Sequence, residues 1–149
     1  MTKQELKNEL KQSMLAKNEL KTSVLRMLLS AINYYEINKG GAGYEATDED
    51  VLAVIQKEAK QRKDSIEQFT NANRIELAKK EEKELAMLNA YLPEQMSEDK
   101  IRELVKEAIT QTGATTAADM GKVMGALMPK TKGKADGNLV SKIVRENLS

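Results

Sequence analysis

Apolar positions recur at helical spacing from one end of this chain to the other. Thr2 with Glu5 three residues on has the spacing of a capping box. Leu6, Leu10 and Met14 follow at steps of four and predict a helix near 3–17 with one apolar stripe. A polar stretch, KNELKT, leads into Val24–Tyr35, whose apolar positions 24, 25, 28, 29, 32 and 35 make a wide helical face. That breadth predicts the central helix of an N-terminal domain. Gly40-Gly41 stops it, and the stretch to Tyr44 is the most loop-like of the chain.

Thr47 with Asp50 is the next capping signal, and Asp48 and Glu49 lie where a helix dipole favours anions. The seam Val51, Ile55, Ala59, Arg62, Ile66, Phe69 predicts a helix to about residue 69. Asn71-Ala72-Asn73 breaks it. Asn73 with Glu76 then reads as a cap for a second seam, Leu77, Glu81, Leu85, Leu88, Leu92. At 1.5 Å per residue the two helices would each span roughly 28 Å and fold back as an antiparallel hairpin. Pro93 pushes Leu92 out of the helical region, and EQMSED reads as a linker. Beyond it, Ser97 caps Ile101, Leu104, Val105, Ala108 and Ile109, with Gly113 as terminator. Asp119 precedes Met120, Val123, Met124 and Leu127, with Pro129 ending that helix, and Asp136 caps Leu139, Val140, Ile143, Val144 and Leu148. No segment alternates with period two over strand length. The predicted fold is all-α: an N-terminal helical domain, 1–93, with a long antiparallel hairpin, then a small three-helix domain, 94–149.

Composition narrows the chemistry. The 149 residues contain no Cys and no His. That excludes disulfides, thiolate nucleophiles, zinc ribbons, imidazole bases and the usual Ser–His and Cys–His hydrolases. Glu81 and Glu84 stand at i, i+3, but no spacing marks a metal site. No catalytic residue, metal or cofactor is expected. No apolar run reaches membrane-spanning length, and the start MTKQELKNELK is too polar for a signal peptide, so a soluble, cytoplasmic protein is the expectation. Arg62 on an apolar seam reads as a partly buried arginine paired with Glu81, with contact to a ligand carboxylate or phosphate as the other reading.

Net charge is only +1, yet it is unevenly placed. Residues 1–92 hold 15 basic and 15 acidic side chains, whereas 119–149 hold six and three. The excess comes from Lys122, Lys130, Lys132, Lys134, Lys142 and Arg145. Three of these lysines alternate around Gly133, just before a helix N-terminus; the stretch reads first as a solvated loop, and otherwise as a phosphate site, which the backbone N–H groups there and Asn138 as a further donor would suit. Gly121 and Gly125 sit four apart within one helix, each costing about 1 kcal/mol against Ala. Two readings account for them: close packing of a neighbouring helix, or a bare face that a ligand backbone can approach. TKGKADG lacks the spacing of a nucleotide-binding phosphate loop.

The stretches RMLLSAINYYE (26–36), DEDVLAVIQKEAKQRKDSIEQF (48–69), AKKEEKELAMLNAYLPEQMSEDKI (78–101) and DMGKVMGALMPKTKGKADGNLVSKIVRENL (119–148) together resemble the YqeY family along the whole chain. The last stretch is also similar to the tail domain of the B subunit (GatB) of the tRNA-dependent amidotransferase, and related modules are appended to some bacterial glutaminyl-tRNA synthetases. The resemblance implies a two-part helical fold and a connection to tRNA, without catalysis. Its glycine-and-basic motif falls on Gly121, Lys122, Gly125, Lys132, Gly133, Lys134, Ala135, Asn138 and Leu139. The expected RNA-binding set is Gly121, Lys122, Gly125, Lys130, Lys132, Gly133, Lys134, Asn138, Lys142 and Arg145. The expected function is a non-catalytic tRNA-binding accessory module. An alternative is a module that docks on an aminoacyl-tRNA synthetase or amidotransferase through the hairpin or through Met120, Met124 and Met128. A glutamine-dependent carbon–nitrogen ligase activity would follow from the family name alone.

Overall fold

The computed structural model describes residues 1–41 and 43–148; Ala42, within the loop after Gly40-Gly41, and the terminal Ser149 lie outside the described residues. The elements among the described residues are all helices, with no strand: α1 (Lys3–Leu15), α2 (Glu19–Gly40), α3 (Asp48–Asn71), α4 (Ile75–Asn89), α5 (Glu98–Thr112), a 3-10 turn (Ala117–Asp119), α6 (Met120–Thr131) and α7 (Gly137–Asn147). The chain divides into two compact units, Met1–Leu92 and Pro93–Ser149.

The capping chemistry at most starts is that of the sequence. Thr2 and Thr47 accept from the N–H groups of Glu5 and Asp50, whose carboxylates accept from the cap N–H groups in return. Ser97 accepts from Lys100 N–H, and Gly113 closes α5 at φ +68°, a left-handed turn that glycine enters without strain. Elsewhere tertiary packing redraws the local reading. The polar stretch KNELKT holds the start of the next helix: Asn18 caps α2, which runs 22 residues from Glu19. Asn73 caps nothing; it takes φ +58°, and α4 starts behind Arg74 without a side-chain cap. The hairpin helices are unequal, 24 residues in α3 against 15 in α4. Pro129 lies inside α6 rather than ending it. Its exposed ring occupies the last turn, where the only backbone bond it forgoes is the one to Gly125, and the ladder resumes with Lys132 N–H donating to the Met128 carbonyl at 3.0 Å.

In the N-terminal unit, Leu6, Val24, Leu25, Leu28, Ile32, Val51, Ile55 and Leu88 form the core, so α2 is the central helix. Met14 points outward, and the buried position of that turn is Ser13. Its hydroxyl is satisfied by the Leu10 carbonyl at 2.8 Å and Thr22 Oγ1 at 2.9 Å. Leu77 is likewise exposed, and Ala78, Glu84 and Leu88 are the buried positions of α4. Two polar clusters fasten the far end of this unit. Lys3 Nζ donates to buried Glu36 at 2.5 Å, and Glu36 also accepts from Ala46 N–H at 2.7 Å. Asp50 accepts from the hydroxyls of Tyr35 at 2.8 Å and Tyr44 at 2.6 Å.

In the C-terminal unit α5, α6 and α7 close around Ile101, Val105, Ala108, Val123, Leu127, Val140, Ile143 and Val144. Met120 and Met124 pack against this core, leaving Met128 as the exposed methionine of α6. The Met-rich docking stripe read from spacing is therefore mostly interior.

Candidate nucleic-acid interface

Helix α6, the turn after it and α7 carry every residue of the expected RNA-binding set. On α6, Gly121, Lys122, Gly125 and Lys130 are all exposed. The space outside both glycines is open: a Cβ built at either position meets nothing within 4 Å. This excludes the close-packing reading, because no neighbouring helix lies against the bare backbone. Their i, i+4 spacing puts the two on one stripe of α6, about 6 Å apart along its axis, with exposed Pro129 continuing it one turn on.

The turn after α6 positions Lys132 and Lys134 at exposed positions around a buried Gly133 at φ +79°. The Gly133 carbonyl accepts from Gln95 Nε2 at 2.9 Å, and the Lys134 carbonyl from Met96 N–H at 2.8 Å. Gly133 thus acts as the left-handed pivot of the turn rather than as a surface for a ligand. Buried Thr131 anchors the turn from below: its carbonyl accepts from the N–H groups of Lys134 at 2.9 Å and Ala135 at 3.0 Å. On α7, Asn138, Lys142 and Arg145 are exposed.

These bonds change how an anion would be held. The N–H groups of Lys132, Lys134 and Ala135 all donate within the turn. The Asn138 N–H donates to the Asp136 carboxylate at 3.0 Å. The N-terminus of α7 is thus already capped by a negative group, and four of the N–H groups that the spacing offered to a phosphate have partners within the protein. The cations Lys122, Lys130, Lys132, Lys134, Lys142 and Arg145 stand at exposed positions, and the glycine stripe of α6 is open. Asp119 sits at the start of α6, its carboxyl held below the ordinary value by the Thr115 and Thr116 N–H groups and by nearby Lys122.

Arg62 occupies the other expected position of interest. It is buried, but its partner is Glu84 rather than Glu81, with Glu58 Oε2 3.6 Å from Nη1. Glu84 lies on the buried side of α4, and its approach to Arg62 was not legible from the apolar seam, which runs through Glu81 and Leu85. Among the described residues no group of three or more acidic, His or Cys side chains could hold a metal ion, and no helix is long and apolar enough to cross a membrane.

The chain belongs to the YqeY family: the family model, described as "Yqey-like protein", matches residues 3–148. Among curated proteins, an uncharacterised protein of Schizosaccharomyces pombe is 40% identical over 92 residues, covering 62% of this chain and 72% of its own length. "Altered inheritance of mitochondria protein 41, mitochondrial" of Vanderwaltozyma polyspora is 40% identical over 87 residues, and its counterpart in Lachancea thermotolerans 41% over 88. Each covers 58% of this chain, which spans about half the length of these two relatives, 46% in each case. Their names correct the expectation of a cytoplasmic protein. That expectation rested on a polar N-terminus and a lack of spanning segments, and neither property distinguishes the cytoplasm from an organelle interior.

Proposed function

We propose that this protein is a non-catalytic accessory module that binds tRNA through its C-terminal unit. The observation that carries the reading is the exposure of six cations, Lys122, Lys130, Lys132, Lys134, Lys142 and Arg145, on α6, the turn after it and α7, together with the open space outside Gly121 and Gly125. Side-chain ammonium and guanidinium groups suit phosphate contacts, and the bare stripe lets a sugar–phosphate strand approach a helix closely. Structured RNA hides its base edges in a deep groove, so such contacts would follow shape and phosphate position. This unit contains no aromatic residue, which disfavours stacking on single-stranded bases. The similarity of residues 119–148 to the amidotransferase tail supports tRNA over other folded RNAs. Lack of His and Cys supports an accessory role over a glutaminase or ligase. The names of the yeast relatives support a mitochondrial setting.

The test is equilibrium binding of the full chain to several unmodified tRNA transcripts, with a size-matched duplex RNA as control. Saturable binding that favours tRNA and is lost in a Lys132→Ala/Lys134→Ala variant supports the reading. Equal affinity of variant and parent at low salt overturns it.

A further inference from the structure

The stretch EQMSED after Pro93 reads in sequence as a linker, yet its first residues are bonded to the basic turn after α6. The Gln95 side-chain amide has two N–H groups, and both go to main-chain carbonyls. One accepts from Nε2 at Pro93, 2.8 Å away, the other at Gly133, 2.9 Å away and 38 residues on. One residue later the Met96 N–H donates to the Lys134 carbonyl at 2.8 Å. Residues 93–96 thus lie against the turn as a strap. The far end of the strap is itself fixed. The Met96 side chain packs against the core of this unit, and Ser97 caps α5 through the Lys100 N–H at 3.2 Å.

The turn reverses through Gly133 at φ +79°, the residue type with the most conformational freedom to lose. From inside, the Thr131 carbonyl accepts from the N–H groups of Lys134 and Ala135. From outside, the strap takes the carbonyls of Gly133 and Lys134. Both peptide units that flank the Lys134 Cα are therefore held at both ends, the N–H by Thr131 and the oxygen by the strap. An exposed lysine on a glycine turn would otherwise leave the backbone over a wide range of directions; here its Cα–Cβ direction is set.

We propose that Gln95 is a positioning residue for the RNA-binding turn: it holds the linker against the turn and so fixes the direction in which Lys134 leaves the backbone. The proposal rests on the reading of the C-terminal unit as a tRNA-binding module. A cation on a restrained backbone loses less conformational entropy on meeting a phosphate than one on a mobile turn. Gln95 is uncharged and both its N–H groups are taken, so it acts on phosphate binding through the lysine it orients. The segment that joins the two units is in this way part of the RNA site, although no spacing or charge in the sequence marks it.

The experiment compares the full chain with Gln95→Met, which keeps the length of the side chain and removes the donor. The probe is an unmodified tRNA transcript, with affinity measured at several salt concentrations. Hydrogen exchange of the Lys134 and Ala135 amides is followed without RNA. The expected result is faster exchange at both amides, by about two- to tenfold, the factor that one hydrogen bond of typical net strength gives. Affinity for tRNA should fall by a similar factor, with a smaller salt slope, since a neutral-for-neutral substitution alters that slope by displacing a cation. The loss should be less than additive with Lys134→Ala and additive with Lys142→Ala, which stands on α7 outside the turn. Unchanged exchange, or unchanged affinity or slope in a parent that binds tRNA, overturns the positioning role alone. Equal additivity with both alanine variants also overturns it, because the substitution then acts on the fold as a whole. A parent chain that binds no tRNA overturns the reading on which the role rests, and the role with it.

Discussion

Arg62 of α3 faces Glu84 of α4 across the hairpin, with Nε 3.3 Å from Oε2 and both residues buried, at 6% and 4% exposure. The approach is ionic without a directed hydrogen bond, since the buried Nε–H has no hydrogen-bond partner among the described residues. Nη2 turns instead toward the Met27 sulfur of α2 at 3.6 Å. One guanidinium thus touches three helices inside an otherwise apolar seam. Such a pair contributes little net stability over apolar residues of similar volume, but loss of one partner strands a buried charge.

Arg62→Met is therefore expected to lower unfolding stability by about 3 kcal/mol or more, since Glu84 is then left buried and unpaired. The double variant Arg62→Met/Glu84→Leu should recover most of the loss, because Glu58 is the more exposed of the two acids and can hydrate. Urea denaturation of the parent, both single variants and the double variant measures the coupling. A double variant as unstable as Arg62→Met would contradict this account.

The acid response should come from the N-terminal unit. Glu36 is held below its ordinary value by the Lys3 ammonium first, then by the Ala46 N–H. Asp50 is held well below the carboxylate range by the Tyr44 hydroxyl, the Thr47 N–H and the Tyr35 hydroxyl. A lowered folded-state pKa contributes stability that is present above the unfolded value, about 4, and lost as pH falls through the folded value. Glu36→Gln should be less stable than the parent at pH 7, with the difference shrinking below about pH 4. Denaturant midpoints across pH 2–8, in steps of about half a unit, would reveal the convergence; parallel curves would count against it.

Gly121→Ala and Gly125→Ala should each raise stability, by roughly 0.5–1 kcal/mol, because the new methyl enters open space and Ala is the better helix former. If the stripe receives an RNA backbone, Gly125→Leu should weaken tRNA binding while keeping helicity. Thermal melts and binding isotherms on the same samples separate the two effects. A stable Gly125→Leu variant with unchanged affinity would remove the stripe from the interface.

Removal of Lys130, Lys134 or Lys142 one at a time should weaken different tRNAs by similar factors. For each phosphate no longer neutralised, the magnitude of the logarithmic salt slope should fall by roughly 0.7–0.9, through fewer released counterions. The slope is read from affinities at several salt concentrations. Loss of affinity at constant slope would mean that these lysines act through the fold rather than on phosphate.

Periodicity and capping, both properties of neighbours along the chain, are enough to predict all-helical structure, the caps at Thr2, Thr47, Ser97 and Asp136, and the cationic bias of residues 119–149. At these four caps the bonds close within one turn and hold in the fold, whereas the cap read at Asn73 does not form. Properties that depend on a neighbour from elsewhere in the chain needed the tertiary structure. Ser13 replaces Met14 in the core because Thr22 of α2 can satisfy its hydroxyl. Arg62 finds Glu84 rather than Glu81 because α4 presents that side to α3. Gly121 and Gly125 look alike in sequence whether another helix covers them or not; only packing leaves them open. The spacing around Gly133 suits a phosphate, but in the fold the carbonyls of Met128 and Thr131 and the carboxylate of Asp136 take the N–H groups of Lys132, Lys134, Ala135 and Asn138. Hydrogen bonds close locally and are short-ranged, so composition can place charge on a segment, but only the fold decides which donors face outward.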